Sequence, residues 1–174
     1  VAKTTTAINL AHGLSRRLLL RVAPEDVDKI EEKDRLVEFQ GTTMYVRGHV
    51  LLVDLDPQGH CARGLGLDVG TADIGEVLMG RQTLSEAVVS ADRSEGGYPR
   101  PNLWLLPSSD NLELAKQALL QKSLEDGGRH NIAAALLRRL AHAVERFAYI
   151  ILDCPPNLDT FTQAIYHFAE AAIV

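Results

Sequence analysis

The chain has 174 residues, of which 46% are hydrophobic, 24% charged and 5% aromatic, the usual mixture of one globular domain. Its 18 Lys and Arg against 23 Asp and Glu give a formal net charge of −5 spread along the sequence, so charge alone does not indicate a nucleic-acid surface. Two cysteines are too few for a disulfide framework, and no apolar run reaches the about 18 residues that span a bilayer. These features exclude secreted and membrane-spanning classes and predict a cytoplasmic protein.

Both ends of the sequence indicate a fragment of a longer domain. Residues 1–6 run directly into an amphipathic helical pattern without a strand before it. Residues 169–174 stop where an apolar, strand-like run begins. We therefore expect a first strand before Val1 and a C-terminal part after Val174.

After the first helix, three apolar segments have the pattern of strands buried on both faces, namely residues 48–56, 102–107 and 149–153. Helical spacing fills the intervals between them. The short helices cover residues 74–79 and 84–89, on either side of Gly80, and the longer helices cover residues 111–122 and 131–146. This alternation predicts right-handed βαβ crossovers and an α/β fold, with a mostly parallel sheet covered by helices on both faces.

Polar residues collect where the predicted strands end. Asp54 and Asp56 end one buried strand, and Asp153 ends another. In an open parallel sheet, ligands bind outside the carboxyl ends of the strands. Lys3 and Thr4 begin the first helix, where free N–H groups and the helix dipole favour a phosphate. A Lys-Thr pair at a helix start, with acids at the ends of apolar strands, is the arrangement of a P-loop nucleotide hydrolase.

Three segments strongly resemble motifs of the ParA/MinD family of P-loop ATPases, and the Soj-like ParA partition branch matches best. The family's deviant Walker A loop is Lys-Gly-Gly-x-x-Lys-Thr-Thr, its second motif is commonly Val-Asp-x-Asp-Pro-Gln-Gly, and its Walker B motif ends in Asp-x-Pro-Pro. The matching segments follow the family order and are residues 1–11, 50–59 and 149–156, together with 105–108. The resemblance covers nearly the whole chain apart from residues 18–47.

Residues 18–47 interrupt the pattern of this family. Removing them would leave the family's ordinary join between the first helix and the second strand. Within the segment, residues 24–26 have the composition of a helix start, residues 28–39 mix charges with a poor apolar face, and residues 44–47 have strand character. We interpret 18–47 as an insertion at the amino edge of the sheet, opposite the nucleotide crevice, and assign it no function.

The resemblance implies an ATPase that binds ATP and Mg²⁺. Lys3 would bind the β- and γ-phosphates, Thr4 would ligate Mg²⁺, and Thr5 would hold the inner phosphates together with amides at the helix start. Pro57 and Gln58 would belong to the switch that senses the γ-phosphate.

The resemblance also implies a role for each of the three acids at the strand ends. Asp56 would orient the attacking water, Asp54 would support the water shell of the metal and the first switch, and Asp153 would reach Mg²⁺ through water as the Walker B acid. From the residues alone, each acid could instead cap the helix that follows it.

Two parts of the family pattern would lie outside this sequence. The first half of the P-loop would precede Val1, including the signature lysine that reaches the nucleotide of the dimer partner. The C-terminal half, with the adenine and DNA contacts, would follow Val174. We therefore interpret residues 1–174 as a partial ParA-type P-loop ATPase domain and expect these residues alone to be inactive.

For the whole protein, the resemblance implies a switch that forms a homodimer with ATP and serves plasmid partition or chromosome segregation. A ParB-like centromere-binding protein would stimulate hydrolysis, and nonspecific DNA would bind through regions outside this chain, at the bacterial nucleoid. Two alternatives remain open. One is a MinD-like ATPase that cycles on the membrane to position the division site, and the other is a non-catalytic, truncated relative that acts as a binding module.

The two cysteines are close in sequence to the motifs. Cys61 follows the second motif, and Cys154 follows the Walker B acid. A metal or redox role is an alternative for Cys61, and an iron–sulfur relative of nitrogenase reductase would need both cysteines as ligands. We interpret both as small packing residues.

Overall fold

The computed structural model describes residues 2–93, 97–125, 127, 132–156, 162–163, 165–166 and 169–172. Its elements in chain order are α1 (Ala2–Arg17), β1 (Leu19–Arg21), β2 (Leu36–Phe39), β3 (Thr42–Val46), β4 (Val50–Asp54), α2 (His60–Leu65), α3 (Ile74–Met79), α4 (Leu84–Ala87), β5 (Val89–Ser90), β6 (Leu103–Leu106), α5 (Asn111–Glu125), α6 (Ile132–Arg146) and β7 (Tyr149–Asp153). No helix among these residues is long and apolar enough to cross a bilayer.

The main sheet has the strand order β5-β6-β4-β7. β4 pairs in parallel with β6 on one side and with β7 on the other, whereas the two-residue β5 pairs antiparallel with β6. All five residues of β4 are buried, which explains its continuous apolar run. The α/β fold with a mostly parallel sheet, predicted from the alternation of apolar runs and helices, is confirmed.

Helices cover both faces of this sheet. Val50 and Leu52 of β4 pack in one core cluster with residues of α1 and α2. Leu51 and Val53 point to the other face and pack with residues of α3, α5 and α6. Alternate side chains of one buried strand therefore bind two helical layers to the sheet.

Outside residues 18–47, the predicted helices and strands have the observed positions, with three differences. The predicted helix over 84–89 ends at Ala87, and Val89 begins β5 because its backbone pairs with β6. The strand-like run at the C-terminus forms no strand over residues 169–172, and residues 173–174 lie outside the described residues. The short helix α2 was not predicted from the sequence.

Residues 18–47 form a small antiparallel sheet with the order β1-β3-β2. The helix-like composition at residues 24–26 produces a short 3-10 helix, Pro24–Lys29, and a second one follows at Lys33–Arg35. Strand character at 44–47 is confirmed by β3. The small sheet has its own core of Leu19, Phe39 and Val46.

The small sheet is connected to the rest of the domain at Leu18 and Arg47, which lie side by side near the amino ends of the main strands. The Arg47 N–H donates to the Leu18 carbonyl at 2.9 Å. Close to these two residues, the buried Asn102 side chain donates hydrogen bonds to the carbonyls of Ser15 at 2.8 Å and Gly48 at 3.0 Å. The segment 18–47 therefore lies at the edge of the sheet opposite the carboxyl ends of β4 and β7.

Candidate functional site

Two buried carboxylates lie side by side at the carboxyl edge of the main sheet. Asp54 ends β4, Asp153 ends β7, and the parallel pairing sets these two residues opposite each other. Their exposed fractions are 0% and 3%. The two acids therefore share one position at the edge where ligands of parallel sheets bind.

The Asp54 carboxylate organises the loop that follows β4. Its Oδ1 accepts the Asp56 N–H at 3.0 Å, and its Oδ2 accepts the Cys61 N–H at 2.9 Å. Burial raises the pKa of Asp54 to about 6, although these two hydrogen bonds favour the charged form, and the neighbouring Asp153 adds to the increase. Asp54 therefore holds both ends of the loop that carries Asp56.

Cys61 joins the two acids. Its main chain donates to Asp54, and its thiol donates to Oδ2 of Asp153 at 3.3 Å. Burial, followed by the charges of Asp54 and Asp153, raises the pKa of this thiol well above its ordinary value, so the sulfur retains its proton in the absence of a cation. Packing is part of its role, because Cys61 is fully buried, but its contact with Asp153 was not predicted.

The loop after Asp56 is fixed to the strand-end loop after β6. The Ser108 hydroxyl donates to the Asp56 carbonyl at 2.7 Å, and the Gly59 N–H donates to the same carbonyl at 3.0 Å. The Gln58 N–H donates to Oδ1 of Asp56 at 3.0 Å. Gly59 has φ of 61°, and a Cβ there would lie 2.6 Å from the Ser108 carbonyl oxygen. Glycine is required at this position both by the left-handed backbone and by the close approach of the two loops.

An open cleft of about 420 Å³ lies beside this loop. Seven of the described residues line it, namely the predicted site residues Asp56, Pro57 and Gln58, the two prolines Pro155 and Pro156 after β7, and Glu113 and Lys116 of α5. Lys116 is 9% exposed and lies 3.9 Å from the Glu113 carboxylate. Neither α5 residue was singled out from the sequence, because helical spacing alone does not show which polar side chains face a cleft.

The predicted phosphate-binding residues lie in the first turns of α1. Lys3 and Thr5 are exposed, and Thr4 is half-buried. The charge of Lys3 acts on the thiol of Cys154, which follows β7 directly. The N-terminus of α1 therefore lies at the same edge of the sheet as Asp54 and Asp153.

The donor set at this edge fits a divalent cation with oxygen ligands, such as Mg²⁺. Two neighbouring carboxylates are buried, and no ion pair within the described ranges involves either of them. Buried charges are normally paired or bound to a metal because desolvation is costly. Asp54 and Asp153 are therefore candidate ligands, and the Thr4 hydroxyl is a third.

Known proteins resemble this chain in sequence and in fold. A family model described as an AAA domain matches residues 37–174. The chromosome partitioning protein ParA of Caulobacter vibrioides is 27% identical over 177 aligned residues, covering 100% of this chain and 51% of that protein. The chain spans about half the length of the curated relatives it matches.

Two solved structures share the fold at a TM-score of 0.62. Apo McdA from Cyanothece is 25% identical and matches 93% of this chain and 48% of its own. Cobyrinic acid a,c-diamide synthase from Mycobacterium smegmatis, solved with an ATP analog and magnesium, is 29% identical and matches 94% of this chain and 48% of its own. The family model spans more than half of the chain, and the matched residues include Asp54, Asp56 and Asp153. The chain belongs to the ParA/MinD family of P-loop ATPases.

Proposed function

We propose that the protein is an ATP-binding and ATP-hydrolysing dimerisation switch for plasmid or chromosome partitioning. The observation that carries the proposal is the meeting, at one sheet edge, of Asp54, Asp153, the loop of Asp56 and the start of α1. The similarity to a chromosome partitioning protein supports the partition branch of the family.

In this proposal the first turn of α1 binds the phosphates of ATP. Lys3 interacts with the β- and γ-phosphates as a point charge, and Thr5 binds the inner phosphates together with the free N–H groups of the helix start. The exposure of Lys3 and Thr5 is consistent with these roles.

The metal position belongs to Thr4, Asp54 and Asp153. Mg²⁺ bound there would neutralise charge on the phosphates. A dication would also compensate the two buried carboxylates, since burial, with a smaller contribution from the charge of Asp153, raises the pKa of Asp54 when no cation is present. We therefore propose Asp54 and Asp153 as supports of the metal and its water shell, and Thr4 as a ligand.

Asp56 orients the attacking water in this proposal. Its side chain lines the open cleft and accepts the Gln58 N–H, while Ser108 holds its carbonyl. A carboxylate with a fixed main chain and an accessible oxygen can position a water molecule for attack on a phosphoryl group. Pro57 and Gln58, which line the same cleft, would respond to the γ-phosphate.

For the whole protein we propose a homodimer formed with ATP, a ParB-like partner that stimulates hydrolysis, and nonspecific DNA bound through regions outside this chain. The proposed location is the bacterial cytoplasm, at the nucleoid. The output of such a cycle is a change in dimerisation and affinity.

Steady-state ATP hydrolysis by the full-length gene product, with and without nonspecific duplex DNA, tests the proposal. We expect turnover that DNA stimulates and that Asp56→Ala abolishes. The matched control is Asp68→Ala, an exposed acid after α2, which should retain the rate. Turnover that responds to lipid vesicles instead of DNA would favour the MinD-like function, and a wild-type rate equal to that of Asp56→Ala would favour the binding module.

A further inference from the structure

Three potential metal ligands of different chemistry converge at the carboxyl edge. The Cys61 sulfur and one carboxylate oxygen each of Asp54 and Asp153 all lie within 4.8 Å of one another. The three residues come from separate parts of the sequence and are each at most 3% exposed. The thiol of Cys61 distinguishes this cluster from a pair of acids.

Few interactions among the described residues stabilise the buried charge of the Asp153 carboxylate. Within the described ranges, the Cys61 thiol is its one hydrogen-bond donor, and no Lys, Arg or His side chain forms an ion pair with it. A thiol is a weak donor. A buried carboxylate with one weak donor, aimed at a second buried carboxylate, is a position where a cation would remove a large desolvation cost.

We propose that Asp54, Cys61 and Asp153 form a binding site for a thiophilic divalent cation, of which Zn²⁺ is the best fit. Two carboxylate oxygens and one sulfur supply three protein ligands, and the fourth position of a tetrahedral ion stays open to water or phosphate. Ligand atoms around tetrahedral Zn²⁺ lie about 3.5 Å apart. The sulfur and the two carboxylate oxygens would therefore need to approach one another by about 1 Å to bind the ion. Mg²⁺ takes oxygen ligands and gains nothing from the sulfur.

Binding forms a bond between the sulfur and the metal and transfers the thiol proton to solvent, without any change in oxidation state. Asp54 and Asp153 are also the acids assigned to Mg²⁺, so this inference rests on the proposed function for its regulatory consequence. A thiophilic ion at these acids would compete with Mg²⁺ and inhibit ATP hydrolysis. It would also immobilise Asp54, which holds the Asp56 main chain.

Titration of the metal-free, full-length protein with Co²⁺ tests the site, because a thiolate ligand to Co²⁺ gives a charge-transfer band in the near ultraviolet. The thiols within residues 1–174 are those of Cys61 and Cys154, so Cys154→Ser is the matched control for Cys61→Ser, and both variants are made in a background in which any cysteine outside these residues is replaced by serine. Cys154 packs with the core cluster of α3, α5 and α6, whereas Cys61 belongs to the cluster of α1 and α2, and the Cys154 thiol contacts the Leu152 carbonyl. We expect one equivalent of Co²⁺ to give the band in the wild type and in Cys154→Ser, and Zn²⁺ to erase it.

Cys61→Ser should lose the band and bind Co²⁺ at least about 10- to 100-fold more weakly, since even outer-shell changes cost that much. A band that survives in Cys61→Ser, or no band in the wild type with excess Co²⁺, would overturn the proposal. If Cys61→Ser does not fold, the Cys154→Ser variant tests the proposal by itself, because the sulfur of Cys61 is then the one thiol that can produce the charge-transfer band. Asp56→Ala separates the two proposals, since it should lose hydrolysis and keep the band.

Discussion

Asp54 and Asp153 are register neighbours on parallel strands, and their buried carboxylates are joined through Cys61, whose N–H donates to Asp54 and whose thiol donates to Asp153. This contact connects two motifs that are far apart in the sequence. It places a pair of like charges in the protein interior, where they carry a cost that a bound cation would remove. The stability of the metal-free protein should therefore depend on the ionisation of Asp54.

The first prediction concerns pH. The pKa of Asp54 rises from 3.8 to about 6 in the folded state, so the folded state binds this proton more tightly than the unfolded state. The free energy of unfolding should therefore fall as pH rises from about 4 to about 6, by up to about 3 kcal/mol, and change little above that range. Denaturant titrations of the metal-free protein across this range measure the effect.

Asp54→Asn is the control for this prediction, because it removes the titrating group. Its free energy of unfolding should vary less with pH over the same range than that of the wild type. Equal pH dependence in the two proteins would show that Asp54 does not titrate with a raised pKa.

The second prediction concerns the contact between the two strand-end loops. Gly59→Ala adds left-handed strain of about 1 to 2 kcal/mol and a Cβ that meets the Ser108 carbonyl at 2.6 Å. Gly70→Ala is the matched control, since Gly70 also has positive φ, 54°, but has nothing within 4 Å of its added Cβ. Urea midpoints should fall for both variants and further for Gly59→Ala. A larger loss for Gly70→Ala would contradict the close approach at Ser108.

The third prediction concerns the base of the small sheet. Asn102→Ala removes two buried donors, to the Ser15 and Gly48 carbonyls, and should lower the free energy of unfolding by about 1 to 3 kcal/mol. Asn9→Ala, an exposed position on α1, should change stability by less than about 0.5 kcal/mol. Chemical denaturation of both variants measures the difference, and a neutral Asn102→Ala would rule out a structural role for these bonds.

Much of the fold follows from the sequence because buried strands have a recognisable apolar run. All five residues of β4 are buried, and β7 has the same kind of run, although Tyr149 is exposed and residues 150–152 are half-buried. Their terminal acids must then lie at one edge, since parallel strands end on the same side. The antiparallel sheet of residues 18–47 is different. β2 pairs with β3, but Phe39 is its one buried residue, and Leu36 and Val37 are half-buried side by side, so its sequence carries no clear strand period.

The remaining site residues depend on contacts between distant parts of the chain. Cys61 touches Asp153 across 92 positions, and Ser108 touches Asp56 across 52. Lys116 reaches the cleft because α3 and α5 pack together on one face of the sheet. A local sequence pattern does not encode these distances. The sequence motifs therefore predicted the acids and a candidate phosphate-binding turn, but not the residues that contact the acids.

The fourth prediction concerns the small antiparallel sheet of residues 18–47. Leu18 and Arg47 are joined by a hydrogen bond, and the strands beyond them pair with each other, so residues 19–46 leave and re-enter the domain at one point. Replacing them with two glycines should leave the full-length protein folded, with ATP hydrolysis within about twofold of the wild-type rate. Circular dichroism and a hydrolysis assay measure this, and unfolding of the deletion variant would show that the small sheet is part of the domain core.

The most direct test of the proposed switch is the mass of the full-length protein in solution, measured by light scattering with ADP or with ATP and Mg²⁺. We expect a monomer with ADP and a dimer with ATP that decays as ATP is consumed. For Asp56→Ala we expect a lasting dimer, because this variant should bind ATP without hydrolysing it. A mass that is the same with both nucleotides in the wild type and in Asp56→Ala would contradict the dimerisation switch.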